Sequence, residues 1–162
     1  MLNYILSTDF IEKYQYAKDY TRRKFKYGIR NYRKIEKQDE DTIFQGLLKY
    51  NLARLEDKNP VDLGIYIRDK AGKIVAGFIG VTHGNWLSIK YLWVSEKLRY
   101  KGTGSQLLYK AEKLLKNELV NMFLDTFSFQ APKFYEKFGY HKVFSLENYP
   151  LTGKRYYFRK IL

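Results

Sequence analysis

Between Trp86 and Leu115 the chain changes its hydrophobic period, and that change narrows the folds open to it. Trp86-Leu87-Ser88-Ile89-Lys90-Tyr91-Leu92-Trp93-Val94 reads as one long strand with apolar residues on both faces. A strand of that kind is central and covered by helices on each side. From Gly104 the period lengthens: Leu107, Leu108, Ala111, Leu114 and Leu115 fall at i, i+1, i+4, i+7 and i+8. That spacing predicts an amphipathic helix of about four turns. A buried strand that runs through a short turn into a packed helix means a sheet with helices against it.

The flanking segments extend this pattern. Asp9 and Glu12 open a predicted helix at 9–23, in which Phe10, Ile11, Tyr14 and Ala17 recur at helical spacing. Tyr27 to Ile35 alternates as a strand, and Asp39 to Asp41 cap a helix whose expected buried face is Ile43, Phe44, Leu47 and Leu48. Leu63 to Arg68 and Lys73 to Val81 form a hairpin about the turn Asp69-Lys70-Ala71-Gly72. His83-Gly84-Asn85 turns the chain into the long strand, and Met122 to Asp125 is a short buried strand. Pro132 suits a helix's first turn and Gly139 its stop, with Phe134, Tyr135 and Phe138 between them. His141 to Leu146 and Lys154 to Ile161 close the chain. The order predicts an α/β (α+β) fold with a mixed sheet and helices on both faces.

Composition bounds the chemistry. At 162 residues, with 45% hydrophobic residues and no linker or repeat, the chain is expected to be a single domain over 1–162, with 1–24 an extra N-terminal helix. The absence of Cys excludes disulfides, thiolate metal sites and a cysteine nucleophile, and two His offer little for zinc, so no metal is expected. The first nine residues have no basic start and no long apolar run, and no stretch is apolar for about 18 residues, so neither a signal peptide nor a membrane span is read and a cytoplasmic protein is expected. The net charge is +13. Seven basic residues and no acid lie between Arg22 and Lys34, a field that attracts polyanions such as a nucleotide, an acidic substrate or nucleic acid.

The chemistry concentrates in Leu92-Trp93-Val94-Ser95-Glu96-Lys97-Leu98-Arg99-Tyr100-Lys101-Gly102-Thr103-Gly104-Ser105-Gln106-Leu107-Leu108. Glycines let peptide N–H groups approach a ligand, a helix N-terminus offers unpaired donors, and Arg99 and Lys101 add full charge. That is a cradle for a diphosphate. A dinucleotide fingerprint would need glycine where Leu107 stands, and a nucleotide-hydrolase loop would need Gly-Lys-Ser/Thr, which is absent. What remains is Arg-x-x-Gly-x-Gly over Arg99, Gly102 and Gly104.

With the preceding Leu92-Trp93-Val94 and the downstream Ala131-Pro132-Lys133-Phe134-Tyr135-Glu136-Lys137-Phe138-Gly139-Tyr140, this hexad resembles the GNAT superfamily of acetyl-CoA-dependent N-acetyltransferases. The resemblance covers about residues 25–162 and is strongest over 86–140. It implies a mixed, mostly antiparallel central sheet of six to seven strands with helices on both faces, splayed between the strand at 86–94 and the strand at 121–125. It implies that Arg99, Tyr100, Lys101, Gly102, Thr103, Gly104 and Ser105 hold the CoA pyrophosphate, mostly through backbone amides. Leu92, Trp93 and Val94 would pair with the pantetheine arm, and a strand amide near Val94 would polarise the thioester carbonyl. Tyr135 matches the family's recurrent tyrosine, a proton donor to the departing thiolate, with packing of its helix against the sheet as the other reading.

Asp125 is the first candidate for a base, with Glu96 behind it and ordered water as the family's common alternative. Lys90 stands where relatives often carry an acid, a departure that favours an anionic acceptor. Thr126, Ser128 and Gln130 are expected to line the acceptor pocket, with capping of the last helix as the other reading of Ser128. Of Trp86, Tyr91 and Trp93, two are expected in the core. A side chain at Gly104 is expected to enter the pyrophosphate space.

The function implied is acetyl transfer from acetyl-CoA, as co-substrate, to a primary amine of a small molecule or peptide. Two alternatives stand beside it: acetylation of an amine carried on RNA, suggested by the basic stretch interleaved with Phe25, Tyr27 and Tyr32, and a non-catalytic CoA-binding module. No membrane partner is expected, and many relatives form homodimers through their closing strands.

Overall fold

The computed structural model of the protein describes residues 28–116 and 121–162. The chain divides into two compact units, Met1–Leu48 and Lys49–Leu162. The expected helix at 9–23 and the start of the basic stretch lie outside the described residues. From Gly28 to Glu36 the chain is irregular, so the strand expected at 27–35 does not form there. Gly28, Arg30, Arg33 and Lys34 interrupt its apolar alternation and leave no continuous face to bury.

Helix α1 spans Lys37–Leu52, two residues earlier than its acidic cap suggested, with Asp39 and Glu40 in its first turn, where negative charge suits the helix dipole. Of its expected buried face, Ile43, Phe44 and Leu47 are all more than half exposed and Leu48 is partly buried.

The second unit is organised by one sheet. Its strands are β1 (Val61–Arg68), β2 (Ile74–His83), β3 (Trp86–Val94), β4 (Asn121–Phe127), β5 (His141–Glu147) and β6 (Lys154–Ile161), with α2 (Thr103–Leu115) between β3 and β4 and α3 (Pro132–Lys137) between β4 and β5. The strand order is β1-β2-β3-β4-β6-β5. Every pair is antiparallel except β3 with β4, which are parallel because α2 crosses over between them. That parallel pairing runs only through Trp86↔Asn121, Leu87↔Met122 and Ser88↔Phe123. Beyond it the strands separate, and the expected splay is present.

The turns are local in origin. Asp69 Oδ1 accepts from the amides of Ala71 at 2.9 Å and Lys73 at 3.0 Å, which folds the β1–β2 hairpin. The core joins Phe78, Leu87, Leu108, Met122, Tyr140 and Phe158, all essentially sealed from solvent, and α2 and α3 both contribute to it. No helix among the described residues is long and apolar enough to cross a membrane.

β3 differs from its sequence reading in an instructive way. Ile79 pairs with Tyr91 but Gly80 pairs with Ile89, so Lys90 is the extra residue of a β-bulge. Before the bulge Leu87 and Ile89 are buried; after it Leu92 and Val94 face the core. The apparent double-faced strand is a single buried face that changes phase. Tyr91 is 69% and Trp93 50% exposed, and Trp86 is only half-buried, so none of the three aromatic residues is sealed in the core.

Candidate active site

The turn from β3 to α2 is held by its own backbone. Ser95 N–H donates to the Val75 carbonyl at 2.9 Å, and a single 3₁₀ turn, Glu96–Leu98, swings the chain outward. Arg99 is extended and donates from Nε to the Val94 carbonyl at 3.1 Å. Its guanidinium is thereby fixed at the end of the strand. Tyr100, fully exposed, and Gly102 then reverse direction at φ 61° and 79°. Thr103 Oγ1 donates to the Leu98 carbonyl at 3.1 Å and closes the loop on itself.

Gln106 N–H is the first in this helix to reach back four residues, to Gly102 O at 3.0 Å. The amides of Thr103, Gly104 and Ser105 precede it and are the unpaired donors of the helix start. No side chain caps α2. Three free N–H groups, the positive end of the helix, and the exposed cations Arg99 and Lys101 therefore meet in one turn. The donor set fits a diphosphate.

The two glycines of the loop differ. Gly102 takes a left-handed conformation that a branched side chain resists. At Gly104 a Cβ would meet Phe134 Cζ and Val94 Cγ2 at 3.7 Å, ordinary contact. A small side chain there points into the packing of α3 on β3, which corrects the expectation that it enters the anion site.

Beside this turn, the edge of β3 that faces β4 is unpaired after Ser88. Leu92 and Val94 turn their side chains to the core while Trp93 stays half-exposed. The peptide groups of that edge are available to an extended ligand.

Tyr135 is 8% exposed on α3, packed edge-on to Phe134 at 5.2 Å and against Tyr140 at 5.8 Å. Burial, and secondarily the charge of Asp125, push its phenol up to about 12. Tyr140 is pushed up as well, by burial first and then by the carboxylate of Glu112. Below pH 10 both phenols are neutral whether the chain is folded or unfolded, and this stability is fully present. Above pH 10 the unfolded chain ionises first, so each tyrosine removes up to about 1.4 kcal/mol of stability per pH unit until its folded value is passed. For Tyr135 the loss falls between pH 10 and about 12. Urea unfolding at pH 9, 10 and 11 is expected to show a steep alkaline decline that becomes shallower in Tyr135→Phe; an unchanged slope would refute the assignment.

Asp125 lies on the opposite face of β4 from the core residues Met122, Leu124 and Thr126. It is not a free carboxylate: Arg155 Nε and Nη2 both approach its Oδ2 at 2.5 Å. Arg155 also lies beside the rings of Phe127, at 5.2 Å, and Tyr149, at 5.6 Å. Sequence reading missed Arg155, because the pair is thirty residues apart and is made by the β4–β6 register.

The three residues expected in the acceptor pocket use their polar groups locally. Gln130 Oε1 accepts from Thr126 Oγ1 at 3.0 Å and from Phe127 N–H at 2.8 Å. Ser128 Oγ accepts from Lys154 N–H at 3.3 Å. They brace the turn between β4 and α3. Ser128 is not the cap of α3, whose N-cap is Ala131.

The fold has relatives among known proteins. Residues 62–142 match the family model of the acetyltransferase (GNAT) domain. The chain is 34% identical over 108 residues to acetyltransferase Atu2258 of Agrobacterium fabrum, covering 66% of this chain and 79% of that protein. It is 33% identical over 87 residues to a blasticidin-S acetyltransferase of Streptomyces morookaense, covering 52% of this chain and 64% of that protein. Among solved structures, an acetyltransferase from Bacillus cereus ATCC 14579 superposes with a TM-score of 0.73 at 31% identity, over 82% of this chain and 98% of the other.

Proposed function

The chain belongs to the GNAT acetyltransferases, and from that premise we propose that it moves the acetyl group of acetyl-CoA directly to a primary amine of a small molecule. The observation that carries the reading is the set of unpaired amides at Thr103, Gly104 and Ser105, placed beside the unpaired edge of β3. When bound, acetyl-CoA supplies the acetyl group as an activated thioester.

In this reading the loop amides, with Arg99 and Lys101, hold the diphosphate, and the β3 edge from Leu92 to Val94 pairs with the extended arm. A β3 amide near Val94 polarises the carbonyl under attack. A carbon–nitrogen bond forms and the carbon–sulfur bond breaks. Tyr135 donates a hydrogen bond to the departing sulfur. The amine must lose a proton, since an alkylammonium near pKa 10.4 is no nucleophile. Asp125 is the side-chain acceptor on β4, but its Oδ2 is occupied by the Arg155 guanidinium, which leaves the proton to water. The blasticidin-S acetyltransferase among the relatives supports a small-molecule acceptor over a macromolecular one.

The test is release of free CoA thiol from acetyl-CoA across a panel of amines, amino acids, polyamines and aminoglycosides, with the product identified by mass. At least one amine should give saturable, stoichiometric acetylation. A well-folded protein that shows no heat on titration with CoA would end this reading.

A further inference from the structure

On the face of the sheet opposite the core, at the closed end of the gap between β3 and β4, lies a cleft of about 330 Å³ lined by Pro60, His83, Trp86, Ser88, Lys90 and Phe123. Its volume is that of a small-molecule site. Trp86 and Phe123 form its apolar part, edge to face with centroids 5.9 Å apart. The rim is fixed by Asp57, whose Oδ2 accepts from Gly84 N–H at 2.6 Å and whose Oδ1 accepts from Asn59 N–H at 3.0 Å. The Asp57 carbonyl is 2.8 Å from His83 Nε2. A carbonyl can only accept, so Nε2 carries the hydrogen and the imidazole is held in place as a wall.

Lys90 is the bulge residue, exposed at the point where the gap opens, and no carboxylate among the described residues pairs with it. Of the acids on this side of the sheet, Asp57 has its carboxylate engaged by the amides of Asn59 and Gly84 and Asp62 lies one strand further out, opposite Val81, so neither is paired with Lys90. A small cleft with an edge-to-face aromatic pair on its wall and an ammonium without a side-chain partner at its mouth is complementary to an anion on an apolar body.

We propose that this cleft holds the anionic end of the acceptor, so that the amine acetylated belongs to a small molecule carrying a carboxylate beside an apolar or aromatic group. The proposal rests on the acetyltransferase reading above. With the carboxylate at Lys90, the amine extends into the gap beside the unpaired edge of β3.

The test uses two probes that share the amine and the phenyl body, phenylalanine with its carboxylate and phenylalaninamide with a neutral carboxamide, titrated calorimetrically into protein saturated with CoA. The carboxylate should bind about tenfold more tightly than the amide, the usual scale for a charge-assisted contact. Lys90→Met should abolish the difference, and Lys90→Glu should reverse it. CoA titrations of the same three preparations should be indistinguishable, which separates failure of this proposal from failure of the cofactor site. Equal or weaker binding of the carboxylate, an unchanged preference in Lys90→Glu, or no heat from either probe at millimolar concentration would overturn it.

Discussion

Gly102→Val is expected to weaken coenzyme A binding about a hundredfold while the protein stays folded. Gly102 sits at φ 79°, ψ 0° immediately before α2. A left-handed residue with a Cβ costs about 1–2 kcal/mol, and a β-branched one resists that region further. The cheapest relief is to rotate the 102–103 peptide, which moves the amides of Thr103 and Gly104 away from a shared target. Several charge-assisted contacts are then lost together, each worth about 1.5–3 kcal/mol. The core face of α2, formed by Leu107, Leu108, Ala111 and Leu115, is untouched, so the melting temperature should fall by only several degrees. Gly104→Ala is the control. Its Cβ meets Phe134 and Val94 at ordinary contact distance, and affinity should stay within about threefold, as no donor moves. Undiminished affinity in Gly102→Val would mean that the turn does not hold the diphosphate.

Tyr135→Phe is expected to lower turnover by about ten- to a hundredfold with little change in acetyl-CoA affinity. Complete proton transfer from a phenol near 12 to a thiolate of ordinary pKa near 8.5 costs about 5 kcal/mol. The same shift keeps Tyr135 protonated throughout the working range, ready to donate a hydrogen bond to charge growing on sulfur. Removing one such donor costs about 1.5–3 kcal/mol in the transition state. Phenylalanine preserves the packing against Phe134, Tyr140 and Phe158, so the variant isolates the hydroxyl. Steady-state kinetics with kcat and KM resolved separately decide the matter. Wild-type turnover would reduce Tyr135 to a packing residue.

The features legible in the chain are those built from neighbouring residues. The loop from Arg99 to Ser105, the Asp69 turn and the α3 segment from Pro132 to Gly139 appear where spacing and residue type put them, because a turn, a helix start and a helix stop are decided by dihedral preferences and nearby donors. Hydrophobic period likewise located all six strands of the sheet. Where the period was weak or interrupted by charge, as over Gly28 to Glu36, the expected strand is absent.

What lay beyond the linear order is the pairing across strands. Nothing around Lys90 announces a bulge; it exists because β3 must keep Leu87 and Ile89, then Leu92 and Val94, on one buried face while staying bonded to β2. The partnership of Asp125 with Arg155 depends on a register between β4 and β6. Thr126 and Gln130, exposed to any role when read as a string, close on each other once the turn forms. Local dihedral energetics are written residue by residue, so the glycine turn and the helix start behind it could be recognised before folding; the bulge at Lys90 and the pairing of Asp125 with Arg155 are set by strand register and core packing, which only the folded sheet settles.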